Sequence, residues 1–235
     1  MKILVFGIHP DDIELGCGGT VALCAARGHD VVLVDLTRGE SSSNGTPEGR
    51  ALEAQEAARV LGCGARENLE LPDTGLVAGD PGQQRAVAGA IRRHRPGLVI
   101  LPSKDDPHPD HSAGGETIER AMYLAGIHGY PTVGREAGWR AANALVYPGR
   151  RELAPDVIVD VSDTFKTKLE AIRAHHSQFG EFDGARETPI NQPGFLTAVE
   201  ARATAAGYRI GVRFGEGFRL LNPVAVVDPA DLFRD

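Results

Sequence analysis

Short β-branched runs alternate with longer amphipathic stretches through the first half of the chain, and this alternation restricts the fold more than any other feature. Strands apolar on both faces, joined by helical crossovers, form a parallel sheet covered on both sides. Ile3 to Phe6, Val31 to Leu36 and Leu98 to Leu101 read as such strands, with a shorter one near Asn68 to Leu71. Thr20 to Arg27, Pro47 to about Leu61, Gln83 to His94 and Ser112 to Ala125 read as the helices between and after them. Thr20 is the expected N-cap of the first helix, with Gly28 just past its end; Pro47 opens the second and Pro96 stops the third. Beyond these, Leu145 to Tyr147 and Val157 to Val161 are expected strands, and Ser162 to His175 and Leu196 to Ala206 expected helices. No repeat and no Pro- or Ser-rich linker divides the chain. The expected architecture is α/β: one domain over residues 1–235, with a doubly wound, mostly parallel, Rossmann-like sheet flanked by helices. The part from about residue 140 is expected to fold over the sheet edge.

Composition narrows the function classes. With 235 residues, 42% hydrophobic and 24% charged, the chain can build a sizeable core, which argues against disorder. A formal charge of -7 and a pI near 5.6 argue against a partner bound through its nucleic-acid phosphates. No apolar run approaches the ~18 residues of a membrane span. The polar His9-Pro10-Asp11-Asp12 comes too early for a signal peptide, so a cytoplasmic location is expected. Three cysteines, Cys17, Cys24 and Cys63, form no Cys-x-x-Cys pair. They suit small buried hydrophobes in a reducing compartment rather than a disulfide framework or a thiolate zinc site.

Ligands of open parallel sheets sit beyond the carboxyl ends of the strands. Two polar clusters fall at that edge, His9-Pro10-Asp11-Asp12 after the first strand and His108-Pro109-Asp110-His111 after the strand at Leu98 to Leu101. Each contains His-Pro-Asp, a tripeptide expected by chance in roughly 0.03 copies at this composition, so the pair calls for an explanation. Asp and Pro favour turns and helix starts, but caps do not require His. A His and a carboxylate close in sequence, joined by a distant His, make the nitrogen and oxygen ligand set of a catalytic zinc site, with a position left for water. Of the adjacent acids Asp11 and Asp12, one can bind metal and the other act as base. Of the two histidines, one can ligate while the other, charged and held by a carboxylate such as Asp110, stabilises an oxyanion.

Gly16-Cys17-Gly18-Gly19 has some likeness to a dinucleotide loop, with Asp35 where a ribose-binding acid would lie. The third glycine of that fingerprint would fall at Val21, however, and polar residues separate the strand from the glycines. Close passage of the backbone beside the metal loop is the expected use of these glycines. His29, His94 and His128 read as surface or cap residues, and His175-His176 as a complement to a helix dipole.

Ile8-His9-Pro10-Asp11-Asp12-Ile13-Glu14, then Gly16-Cys17-Gly18-Gly19-Thr20, with His108-Pro109-Asp110-His111 about a hundred residues later, resembles the LmbE-like (PIG-L) family of zinc-dependent N-deacetylases. Asp35-Leu36-Thr37, Ser42-Ser43-Asn44-Gly45-Thr46, Asn68-Leu69, Pro72-Asp73, Ser177-Gln178-Phe179 and Gly215-Glu216-Gly217-Phe218 look like its bacillithiol-biosynthesis branch. The resemblance implies His9, Asp12 and His111 as ligands of Zn2+ and Asp11 as general base. It makes His108 the oxyanion stabiliser, able to protonate the leaving amine, with Asp110 orienting it. Arg50 and Arg140 match arginines near the substrate. Where relatives often carry a mobile tyrosine this chain has Phe195, which can serve only as an apolar lid. The implied reaction is removal of the N-acetyl group from an N-acetylglucosaminyl conjugate, N-acetylglucosaminyl-malate in that branch. Sister amidases acting on other N-acyl glycosides or thiol conjugates are the alternative, and a non-catalytic metal- or sugar-binding protein a more distant one. The implied assembly is a homo-oligomer, trimer or hexamer, with no nucleic-acid or membrane partner.

Overall fold

A computed structural model describes residues 1–134, 136–180, 184–226 and 228. The elements follow as β1 (Lys2–Gly7), α1 (Asp12–Ala26), β2 (Asp30–Thr37), α2 (Pro47–Val60), β3 (Ala65–Leu71), α3 (Pro81–His94), β4 (Leu98–Pro102) and α4 (Pro109–Ala125). The second part adds β5 (Asn143–Tyr147), β6 (Val157–Asp160), α5 (Phe165–Ala174), α6 (His176–Phe179), α7 (Phe195–Tyr208) and β7 (Gly215–Leu220). The strands form a seven-stranded sheet in the order β3-β2-β1-β4-β5-β7-β6. Pairing is parallel from β3 to β5, whereas β7 runs antiparallel to both β5 and β6.

Each central strand is buried on both faces with a period of two. Leu4, Phe6, Val32, Val34, Val99 and Leu101 face the layer of α3 and α4, against Val87, Ile91, Ile118 and Ala121. Ile3, Val5, Val31, Leu33 and Ile100 face the opposite layer of α1, α2 and α5, against Ile13, Val21, Ala57 and Ala171. A third cluster of Val161, Phe165, Ala203 and Phe214 seats α7 on the far end of the sheet. The strand order reverses between β1 and β4, so the crevice beyond their carboxyl ends is the topological switch point where open sheets bind ligands.

The doubly wound α/β reading holds, with corrections. Helix α1 begins at Asp12, not Thr20, and bends at Cys17 (φ -147°, ψ 21°). The glycines lie inside it: a Cβ at Gly16 would overlap the Tyr147 ring, and one at Gly19 would come 2.9 Å from Val161. They permit close helix packing rather than a free loop. At the bend the amides of Gly19 and Thr20 donate to the Glu216 carboxylate, at 3.0 and 2.7 Å, so Thr20 is capped from β7 rather than acting as a cap. Strand β7 is not among the expected elements. Helix α5 is shorter than the expected Ser162 to His175.

Candidate active site

The two His-Pro-Asp clusters meet at the switch point. Pro10 and Asp11 turn the chain from β1 into α1, and Asp11 takes φ 125°, ψ -24°, a conformation that a non-glycine residue reaches at a cost of about 1–3 kcal/mol. The Asp12 carboxylate turns back onto the amides of Ile8 and His9, which donate to Oδ2 at 3.2 and 2.9 Å. On the other side, α4 opens with Pro109 at its first position and His108 as N-cap, whose Nδ1 accepts the Asp110 amide at 3.2 Å. A histidine caps this helix after all, and the cap fixes its ring.

Three side-chain atoms converge on one point. His9 Nδ1 lies 3.3 Å from His111 Nε2 and 3.6 Å from Asp12 Oδ2, and His111 Nε2 lies 3.3 Å from that oxygen. Donors about 2.1 Å from a tetrahedral ion are separated by about 3.4 Å, so the triangle fits a small divalent metal. The outer nitrogens are held as well. His9 Nε2 meets Asp73 Oδ1 at 3.1 Å, and His111 Nδ1 faces Asp106 Oδ1 at 3.5 Å, which turns both metal-side nitrogens into lone-pair donors. Asp73 and Asp106 receive no role from the sequence. Asp106 stands two residues before His108, and a carboxylate behind a ligating imidazole is the signal that could have found it. It also accepts the amides of His108 at 2.8 Å and Arg150 at 2.7 Å, tying the ligand helix to the loop after β5.

The adjacent acids part company electrostatically. Burial pushes Asp11 up to about 6 against the opposing charge of Arg50, with Asp12 adding to the rise. Burial also acts on Asp12, but the His111 charge and the hydrogen bond and charge of His9 outweigh it and hold that carboxyl well below its ordinary range. His9 is raised despite burial because Asp110, Asp12 and Asp73 surround it. His108 is lowered, first by burial and then by the charges of His111 and His9. With Nδ1 occupied as an acceptor, the neutral His108 ring carries its proton on Nε2.

Several expectations change. Asp110 does not hold His108 through its carboxylate: Oδ2 accepts the Thr74 amide at 2.6 Å, Oδ1 the Leu76 amide at 3.3 Å, and His9 Nε2 lies 3.7 Å away. Its backbone, not its side chain, orients the ring. Arg50 does line the cleft, as a substrate-side arginine would, but it is buried and its two terminal nitrogens are bonded to Gly39, Pro10 and Asp11. Arg140 does not join the cluster; it is exposed, with its guanidinium 5.5 Å from the Tyr123 ring beyond the far end of α4. Asp35 is paired with Arg66 inside the fold, which removes it from any ribose site. His175 is fully buried against Glu14 at 3.4 Å rather than sitting at a surface dipole.

A cleft of about 600 Å³ opens over the triangle. Asp11, Asp12, His9, His108 and His111 form its floor, and Ser41, Ser42, Asp73, Thr74 and Gln178 supply polar wall. Arg150, Glu152 and Arg202 line one side, and Ile190, Phe195 and Val199 contribute the apolar side. Phe195 stacks on Phe179 with ring centroids 5.7 Å apart.

A triangle of side chains able to hold a metal ion, with a raised carboxylate beside it at the switch point of a doubly wound sheet, is the arrangement of a metallohydrolase of the mixed His/Asp type. The model of the PIG-L family, GlcNAc-PI de-N-acetylase, matches residues 4–122. The diacetylchitobiose deacetylase of Thermococcus kodakarensis is 32% identical over 94% of this chain and 83% of its own. A probable N-acetyl-alpha-D-glucosaminyl L-malate deacetylase of Bacillus anthracis is 29% identical over 75% of this chain and 81% of its own. Among solved structures, the conserved protein TT1542 of Thermus thermophilus superposes with a TM-score of 0.86 at 38% identity, covering 97% of both chains. A 4-carboxy-2-hydroxymuconate hydratase of Pseudomonas shares the fold at 23% identity, with a TM-score of 0.77 over 97% of this chain and 98% of its own. The protein belongs to the PIG-L family and is an N-deacetylase.

Proposed function

We propose that the enzyme hydrolyses the N-acetyl group of an N-acetylglucosaminyl conjugate, with zinc on His9, Asp12 and His111, Asp11 as general base and His108 as oxyanion donor. The observation that carries this reading is the gathering of those five side chains at the floor of one cleft. The donor set of two imidazoles and a carboxylate suits Zn2+. Bound there, the ion supplies Lewis acidity, drawing electrons from the acetyl carbonyl and lowering the pKa of water. Asp11, raised toward neutrality, accepts the proton of the attacking water and returns it to the departing amine nitrogen. His108 donates its Nε2 hydrogen to the carbonyl oxygen as negative charge develops there. The products are acetate and the free amine, and water supplies the balance.

A cleft of this size takes a sugar and its aglycone. We favour a second sugar as aglycone, as in diacetylchitobiose, because that relative matches over most of the chain and because Arg50 is engaged in the protein. N-acetylglucosaminyl-malate is the second reading, supported by the malate-conjugate relative and by Arg150 and Arg202 in the wall. We also place the reaction in the cytoplasm, in a trimer or hexamer. No helix among the described residues is long and apolar enough to cross a membrane, and the exposed Tyr123, Val133 and Tyr208 suit contact between copies. Acetate release by the zinc-loaded protein from N-acetylglucosamine, diacetylchitobiose and N-acetylglucosaminyl-malate tests the reaction. Equal specificity constants for chitobiose and the monosaccharide would remove the second-sugar reading, and no acetate from any of them would remove the function.

A further inference from the structure

The residue that most clearly exceeds its expected part is Arg50. Its side chain is 4% exposed, although it belongs to α2 near the mouth of the cleft. Nη1 donates to Gly39 O at 3.1 Å; Nη2 donates to Pro10 O at 2.6 Å and lies 3.3 Å from Asp11 Oδ2. Two of those contacts hold the carbonyl of the Pro10–Asp11 peptide and the side chain of Asp11, the residue held at φ 125°, and the third ties them to Gly39 after β2. A backbone in that region persists only where its surroundings over-determine it. Gly39 is shaped for the arrangement: it has φ +65°, and a Cβ there would overlap the guanidinium. The carbonyl of Thr46, the residue that caps α2, accepts the Arg50 amide at 2.9 Å and fixes the start of the helix from which the side chain reaches inward.

We propose that Arg50 is a positioning residue, a clamp that holds the Pro10–Asp11 turn in its strained form and aims the Asp11 carboxylate, rather than a receptor for a substrate carboxylate. Planarity matters here. A guanidinium can span a carbonyl on each of two loops and a carboxylate at once, whereas an ammonium is a single point of charge. The catalytic consequence rests on the deacetylase reading; the clamp itself does not.

Two arms separate the two. In metal-loaded Arg50→Ala, hydrogen exchange should accelerate at the amides of Ile8, His9 and Leu15, whose acceptors lie on Asp12 and Asp11, while bound metal stays at one per chain. On N-acetylglucosamine and N-acetylglucosaminyl-malate alike, kcat should fall by about tenfold to a hundredfold with KM changed less than about threefold, as misplacement of a base requires. Millimolar guanidinium should restore part of kcat. Arg50→Lys, which keeps the charge, should remain well below wild type on both substrates. The clamp is overturned if exchange in residues 8–15 is unchanged, or if metal is lost. It is also overturned if only KM for the malate conjugate rises and Arg50→Lys restores it. A wild-type enzyme that releases no acetate would sink the function, and the exchange arm would still decide the clamp.

Discussion

Two charged clusters are buried back to back along β1 and α1, and they are built on opposite logic. In the inner one, Arg66 donates to both oxygens of Asp35 at 2.7 and 2.9 Å and to Glu14 at 2.5 Å, so carboxylate and guanidinium answer each other directly. Glu14 is held down to about 2, since the Arg66 and His175 charges outweigh its burial. In the outer one, two imidazole nitrogens and a carboxylate oxygen point at each other across 3.3 to 3.6 Å, and among the described residues no arginine or lysine pairs with any of the three. Side chains that complete one another make a strut; side chains that converge on an unshared point make a site. The two lie two residues apart in sequence, at Asp12 and Glu14.

The largest expected difference between them is in turnover. Asp11→Asn should retain metal and fold while losing about 10²- to 10⁴-fold in kcat, the range of a general base. It should not lower Tm, because Asp11 is raised above its ordinary 3.8 and its charged form is the disfavoured one inside. A variant that loses metal instead would exchange the roles of Asp11 and Asp12. Next in size is His111→Ala, or removal of the ion by a chelator: metal content and acetate release should vanish together, and added zinc should restore only the wild type. Full occupancy in that variant would move the ligand set.

The inner cluster should respond in stability instead. Arg66→Met leaves Glu14 and Asp35 buried without their partner and should cost about 3–5 kcal/mol. Enzyme that still folds at low temperature should keep its KM, and a selective loss of substrate affinity would make this cluster part of the site.

Acid separates the clusters further. Glu14 sits near 2 when folded and 4.5 ordinarily, so its stabilisation is fully present above about pH 4.5 and is lost as pH falls toward 2. Asp11 has the opposite sign, and in its proposed role as base it would work only when unprotonated, so kcat/KM should fall as pH drops through about 6. Activity should therefore decline while the fold is still intact, with Glu14→Gln flattening only the lower limb. Coincident loss of activity and structure on acidification would join the clusters into one.

The same contrast explains what the sequence could disclose. Parallel strands are legible because β-branched runs buried on both faces leave no polar alternation, and the two His-Pro-Asp clusters because their chemistry is contiguous in the chain. The first half of α1 is not legible: Gly16, Gly18 and Gly19 weaken a helix locally, and what restores it is the Glu216 carboxylate from the distant β7. Strand β7 itself is masked by Gly215 and Gly217. Asp73 and Asp106 act only through the far side of an imidazole, a relation that exists once the loops meet. Arg50 enters only through the resemblance, as an arginine near the substrate, because periodicity does not tell a buried guanidinium from an exposed one.

The smallest expected effect concerns Arg140. Helix α4 is 17 residues long, about 25 Å at 1.5 Å per residue, and carries His108 and His111 at its start. Arg140 lies past the other end, where a Cβ on Gly126 would come 3.2 Å from its guanidinium and the Tyr123 ring lies under it. An exposed cation on a ring contributes about 0.5–1 kcal/mol, so Arg140→Ala should lower stability by no more than that and leave kcat/KM within about twofold. A loss of tenfold or more cannot come from this chain's own cleft at such a distance. It would require Arg140 to reach the cleft of a neighbouring copy, and the variant's losses should then grow on dilution into monomers. Size-exclusion chromatography run beside the assay distinguishes the cases: activity independent of assembly keeps Arg140 at the surface, and activity that tracks assembly moves it into the site.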